Sequence, residues 1–417
     1  MDLHEQARQI LRKNDQGTYT LPTHGLYPYQ WNWDSAFAAW GFMTFDPDRG
    51  WTELETLMSG QWDDGMVPHI LFHRDDPGYF PGADVWAGRG PIPSSGITQP
   101  PVAATFMAKM LTMDPGGEPR ARALWPKLRA WHDWFMTWRL DQGAVCVTHP
   151  WEAGRDNAPD WDRALRAIDT ANMAAYTRRD TSHVDAAMRP TKHDYDRYLK
   201  LVQIGASTNW DHARLREINP FRVADPTMTF TLLRAQRDLA AMGRRFGADV
   251  GEIEDWITTL EAGASTLWND QLNCYDSRDV RAGGFNNILS SASALCWYAG
   301  INDDRSWPAI HRMLDATAYG LASFDPEAAG FEPLRYWRGP TWPIMNYLVA
   351  TGMAEQGHHG AANRIRKETA SLMEKSGFAE YYHPHDGSPA GGTTFTWTAA
   401  VWLGWAGNFP ETRQGAA

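Results

Sequence analysis

The sequence predicts an all-α protein, and three observations predict it. Apolar side chains recur at steps of three and four through most of the chain. Asp-Pro, Gly and Pro punctuate the intervals where helices start and stop. Strand signals are few: Ala144-Val145-Cys146-Val147-Thr148 is the best of them, and it predicts one short strand leading into an acidic segment.

The elements follow in order. Residues 2–13 read as a polar amphipathic helix, without the apolar centre and small-residue cleavage site of a signal peptide. Helices are predicted near 31–45, 51–60 and 99–113. Leu124, Leu128, Trp131, Phe135 and Trp138 then stripe one helical face. Asp225 is a good N-cap before Pro226, and Met228, Leu232, Leu239 and Met242 carry the next stripe up to Gly243. Further helices are placed near 248–269, 288–299, 305–315, 341–355, 360–376 and 394–407, about a dozen in all. The stretches 61–98 and 146–193 are long loops, and loops of that length in a compact protein usually serve function. No fixed-period repeat or low-complexity linker divides the chain, so residues 1–417 are expected to form a single domain.

Composition narrows the function. With 43% hydrophobic and 21% charged residues the chain reads as globular, and a net charge of −11 without a Lys/Arg cluster argues against a nucleic-acid partner. No apolar run approaches the ~18–20 residues of a membrane span. The three cysteines, Cys146, Cys274 and Cys296, have no metal-like spacing and are expected to be reduced and buried. A cytoplasmic, soluble protein is the expectation, with homo-oligomerisation left open. Most unusual are the 22 Trp, 14 Tyr and 16 Phe, because each buried indole N–H needs a partner and Trp is a costly core filler.

Two acidic segments sit in these aromatic surroundings. One is Trp151-Glu152-Ala153-Gly154-Arg155-Asp156-Asn157; the other is Glu380-Tyr381-Tyr382-His383-Pro384, followed by a loop with Gly387, Pro389, Gly391 and Gly392. Two carboxyls across an aromatic pocket suit glycoside hydrolysis, one to protonate the leaving oxygen and one to activate water. Taken alone, Asp156 is more often a turn residue and Glu380 a solvated helix-end carboxylate. Their company changes those odds. Tyr27-Pro28-Tyr29-Gln30-Trp31-Asn32-Trp33-Asp34 and Arg335-Tyr336-Trp337-Arg338-Gly339-Pro340-Thr341-Trp342 add rings and polar groups suited to a sugar's faces and hydroxyls. His69 and His73, or His383 and His385, lack the glutamate-bearing zinc motif, so no metal or cofactor is expected.

Through these motifs, with Gln99-Pro100-Pro101 and Phe395-Thr396-Trp397-Thr398-Ala399-Ala400, the chain resembles glycoside hydrolase family 63. The likeness extends over nearly the whole length and is strongest to the short bacterial mannosylglycerate and glucosylglycerate hydrolases. It implies an (α/α)6 barrel with long inserted loops, a cap or lid region at about 160–220, and inversion with Asp156 as general acid and Glu380 as general base. It places Tyr29, Trp33, Asp34, Gln99, Trp337 and Trp342 around the glycosyl ring, and Arg189, Tyr195 and Tyr336 at the glycerate. The aromatic Trp151, with Pro159, would wall Asp156 and keep it protonated. A small glycoside is then the partner. The runner-up is an α-glucosidase acting on a neutral disaccharide (kojibiose-, nigerose- or trehalose-like). A sugar epimerase would need histidines at the pocket floor, and a dead sugar-binding barrel would lack one carboxylate.

Overall fold

Helix starts fall where Asp and Pro announce them. Asp225 accepts a hydrogen bond from the Met228 amide at 3.0 Å ahead of Pro226, and the helix that follows ends at Gly247 with φ of 74°. Asp46 caps the Arg49 amide at 3.2 Å in the same way ahead of Pro47. The computed structural model describes residues 2–171, 173, 175–180 and 185–408.

Among the described residues the first helices are α1 (Leu3–Asn14), α2 (Asn32–Phe42), α3 (Pro47–Ser59), α4 (Ala83–Trp86), α5 (Ala103–Met113) and α6 (Glu118–Trp138). Then come α7 (Asp162–Leu165), α8 (Lys192–Ser207), α9 (His212–Ile218), α10 (Pro226–Phe246) and α11 (Gly251–Ser265). The last are α12 (Leu295–Tyr298), α13 (Trp307–Asp315), α14 (Pro343–Glu355), α15 (His359–Ser376) and α16 (Thr396–Val401).

Neighbouring helices close a circuit: α2 packs on α5, α5 on α10, α10 on α12, α12 on α14, α14 on α16, and α16 back on α2. A second helix backs most of these, α3 on α2, α6 on α5, α11 on α10, α15 on α14 and α1 on α16. Burial separates the two layers. Every residue of α2, α12 and α16 is buried, whereas α1, α11 and α15 bury one stripe and expose the other face. One continuous apolar core runs through the circuit from Ala7 to Ala406.

The described strands are short. β1 (Gln30–Trp31) pairs with β2 (Ile70–Leu71), and a four-stranded sheet has the order β3 (Leu140–Asp141), β4 (Ala144–Val147), β5 (Val223–Ala224), β8 (Arg278–Asp279). The expected strand is thus β4, but its partners come from segments too short to show alternation; Val147 pairs with Val223, 76 positions on by their numbers. β6 (Trp268–Asn269) pairs with β7 (Cys274–Tyr275), and β9 (Tyr381–Tyr382) with β10 (Pro389–Ala390).

Three expectations change. The helix placed at 288–299 is a 3-10 turn, Ser291–Ala294, running into the short α12. The segment at 394–407 is α16 followed by a wider π turn, Trp402–Ala406. The stretch read as cap loop contains α8 and α9, capped by Thr191 at the Asp194 amide and Asp211 at the Arg214 amide. Its positions 172, 174 and 181–184 lie outside the described residues. All three cysteines are free and buried.

Candidate active site

Glu380 stands immediately before β9, and its own backbone holds it to the returning strand. Its amide donates to the Gly392 carbonyl at 2.7 Å, and the Gly392 amide donates to Oε2 at 3.2 Å. Between them Gly391 has φ of +72°, and a Cβ there would lie 2.2 Å from Oε2, so only glycine permits this approach. Oε1 accepts from the Tyr336 hydroxyl at 2.9 Å and the Tyr27 hydroxyl at 3.1 Å. The side chain is fully buried; burial raises its carboxyl above the ordinary range, while Arg189 and these donors oppose the rise. Burial also pushes both tyrosine hydroxyls well above their usual value, so they remain donors.

Asp156 reaches the same pocket from the turn after β4. The 3-10 turn Pro150–Ala153 ends at Gly154, whose φ is +66° and whose absent Cβ would meet Trp33 at 2.6 Å. Asp156 is partly open at the pocket wall, yet desolvation by the surrounding protein raises its carboxyl to about 7; Arg189 opposes this and Glu380 adds to it. A third carboxyl, Asp34 at the start of α2, is held well above its ordinary value by burial and the nearby Glu380.

The rest of the pocket comes from distant segments. Gln99 accepts from the Trp33 amide at 3.2 Å, fixing the start of α2 against the turn before α5. His69 presents a ring that burial keeps neutral, its Nδ1 3.2 Å from Ser95 Oγ. From the segment before α8, Arg189 donates to the Tyr27 hydroxyl at 3.1 Å and lies over the Tyr336 ring, 4.4 Å from its centroid. Arg189 also contacts Asp180 at 3.4 Å, and the same carboxylate receives two hydrogen bonds from Arg178, at 2.9 and 2.6 Å. Tyr195 donates to the Phe80 carbonyl at 3.2 Å, with Arg178 over its ring.

The wall therefore gathers Trp33, Asp34, Gln99, Trp151, Asp156, Arg189, Tyr195, Tyr336 and Glu380. Tyr29, Trp337 and Trp342 are not on it. Tyr29 lies behind Trp31 and Tyr79, its ring 6.3 and 5.2 Å from theirs. Trp337 stacks flat on Trp342 at 3.9 Å, both buried, and the pair backs Tyr336. Sequence reasoning overlooked Tyr27, Trp31, His69, Tyr79 and Asp180 as wall residues. Tyr27 and Trp31 stood in the quoted aromatic motif, where nothing in the spacing told Tyr27 from Tyr29. His69 reads in the sequence only as a candidate metal ligand. Asp180 and Tyr79 carry no local signal, since their place depends on segments far apart in sequence meeting at the wall.

A helical fold whose pocket sets two carboxyls among aromatic rings defines a glycoside hydrolase. The chain matches the mannosylglycerate hydrolase MGH1-like glycoside hydrolase domain over residues 27–398, and it belongs to that family. Mannosylglycerate hydrolase MGH2 of Selaginella moellendorffii is 43% identical over 413 residues, covering 96% of this chain and 85% of that protein. Glucosylglycerate hydrolase of Mycolicibacterium hassiacum is 34% identical over 439 residues, covering 97% and 98%. The crystal structure of the GH63 mannosylglycerate hydrolase from Thermus thermophilus, in complex with Tris and D-glycerate, superposes with a TM-score of 0.94 at 42% identity, covering 97% of this chain and 100% of that one. No helix among the described residues is long and apolar enough to cross a membrane.

Proposed function

We propose that this enzyme hydrolyses the α-glycosidic bond of mannosylglycerate or glucosylglycerate with inversion, Asp156 acting as general acid and Glu380 as general base. The observation that carries the reading is the contrast between two carboxyls on one wall. Asp156, near 7, can hold a proton at neutral pH, while Glu380 is surrounded by donors that favour its ionised form. In the reaction Asp156 gives its proton to the glycosidic oxygen as the C1–O bond breaks. Glu380 takes a proton from the water that attacks C1 from the opposite face, and no glycosyl-enzyme forms.

Trp33, Asp34, Gln99 and Trp397 would seat the glycosyl ring, with Trp151 alongside the acid. Trp337, Trp342 and Tyr29 would act from behind the wall by fixing Tyr336 and Trp31. Arg189, Tyr195 and Tyr336 would receive the glycerate. Charge supports a carboxylate there: Arg178 and Arg189 share Asp180, so the trio keeps one positive charge beside the pocket. A neutral disaccharide would leave that charge with Glu380 as its counter-ion and no partner in the substrate. The names of the relatives lean the same way.

The closed circuit of paired helices supports an (α/α)6 barrel, and its unbroken core supports a single catalytic domain with the region of about 160–220 as a cap. The test is hydrolysis of mannosylglycerate, glucosylglycerate, kojibiose, nigerose and trehalose side by side, with the anomer of the released sugar read at once by NMR. Glycerate-selective turnover with a β-anomer first product is expected. An α-anomer would exclude inversion, and preference for a neutral disaccharide would exclude the glycerate reading.

A further inference from the structure

Arg155, the residue before Asp156, is fully buried, and so are its partners Asp160 and Asp225. Its guanidinium donates to Asp160 at 3.1 and 3.0 Å, to Asp225 at 2.9 Å, to the Thr227 hydroxyl at 2.8 Å and to the Ser290 hydroxyl at 3.3 Å. Its carbonyl accepts from the Ala158 amide at 3.0 Å and the Trp161 indole at 2.8 Å. The peptide leading into Asp156 is thus tied to the start of α10, to the segment before α12 and to its own turn. The Asp156 carboxyl, by contrast, has no hydrogen bond from the side chain of another described residue. The hydrogen bond it receives comes from its own backbone amide.

We propose that Arg155, clamped between Asp160 and Asp225, is a positioning residue that aims the Asp156 carboxyl at the glycosidic oxygen. The proposal rests on the reading of Asp156 as general acid. A clamp of this kind matters because proton transfer demands hydrogen-bond reach, and a displacement of about 1 Å can cost ~10²-fold in rate. Asp225 also caps α10, so the clamp joins the acid's turn to a helix of the inner circuit.

The experiment compares two substrates in each variant: mannosylglycerate, whose leaving oxygen needs a proton, and α-mannosyl fluoride, whose leaving group needs far less help. The ratio of kcat on the first to kcat on the second does not depend on how much protein is folded. Asp160→Asn is expected to lower that ratio by at least about tenfold. It should also move the alkaline limb of the kcat/KM profile to lower pH, because a displaced carboxyl gains water. Thr227→Val, which removes only the contact to Nε, should lower the ratio in the same direction by less. A ratio within about twofold of wild type in both variants overturns the proposal, since a purely structural clamp lowers both substrates equally. Asp156→Asn separates the two readings: it must lower the ratio at least as far as Asp160→Asn. If it does not, the acid assignment fails; if it does while the clamp variants stay flat, the clamp alone fails.

Discussion

Three hydrogens converge on Glu380, from Tyr27, Tyr336 and the Gly392 amide, whereas no side chain of another described residue donates to Asp156. The hairpin that bears Glu380 builds a cradle for an anion. The turn that bears Asp156 leaves its carboxyl partly open at the pocket wall, desolvated by the surrounding protein, and by the inference above would fix it from behind through Arg155. On the proposed reading the same residue class is divided into base and acid by its surroundings, with burial acting on both and side-chain donors supplied to only one. Arg189 lies close enough to lower both carboxyls, so one cation acts on the pair jointly.

The largest test of this division is removal of either carboxyl. Asp156→Asn and Glu380→Gln are each expected to reduce kcat by ~10² to 10⁴ or more on the natural substrate, with sugar binding retained. A variant that kept more than about a tenth of wild-type kcat would remove that residue from its role. Azide offers a sharper version: Asp156→Asn should yield no glycosyl azide of retained configuration, because that product needs a glycosyl-enzyme and none forms under inversion.

Arg189→Ala comes next. Loss of a buried charged contact typically costs ~2 to 5 kcal/mol, so kcat/KM on the glycerate substrate should drop at least about tenfold. Because Arg189 also donates to Tyr27, some loss on a neutral glycoside is expected too, but a smaller one. Equal losses on both would make Arg189 a support for Tyr27 and remove it from the aglycone site.

Tyr27→Phe and Tyr336→Phe each take one donor from Glu380. Its carboxyl should then titrate higher, so the acid limb of kcat/KM moves to higher pH, with kcat reduced roughly tenfold at neutral pH. An unmoved acid limb in both variants would assign that limb to another group.

The smallest effect concerns stability. Asp156 binds its proton more tightly folded, near 7, than unfolded, where 3.8 is usual, so its contribution to stability declines as pH rises between those values. Above about 7 the wild type carries this cost in full and Asp156→Asn does not. At pH 8 the inactive variant is expected to be more stable by more than about 1.4 kcal/mol in denaturant unfolding, and by much less at pH 4. Glu380→Gln should show a smaller gain, because its amide keeps one acceptor oxygen but turns an NH2 toward either the two tyrosine hydroxyls or the Gly392 amide.

Periodicity and capping were sufficient for most of the helical layers, because an amphipathic stripe and an Asp-Pro start act within one segment. They failed at α8 and α9, where capping by Thr191 and Asp211 was present but the surrounding polar run read as loop. They also failed for β5 and β8, two-residue strands that exist only because β5 lies beside β4 and β8 beside β5.

What the sequence by itself determined was the helical class, the two acidic segments and the aromatic motifs between them, all of which are local patterns. Tertiary structure alone decided which face of each motif meets the pocket. Tyr27 reaches Glu380 while Tyr29, two positions on, packs behind Trp31; Trp337 and Trp342 stack on each other and present Tyr336 instead. It also decided the difference between the carboxyls. A pKa near 7 for Asp156 and a ring of donors for Glu380 depend on desolvation and contacts from segments hundreds of residues apart, and no local pattern encodes the dielectric around a side chain.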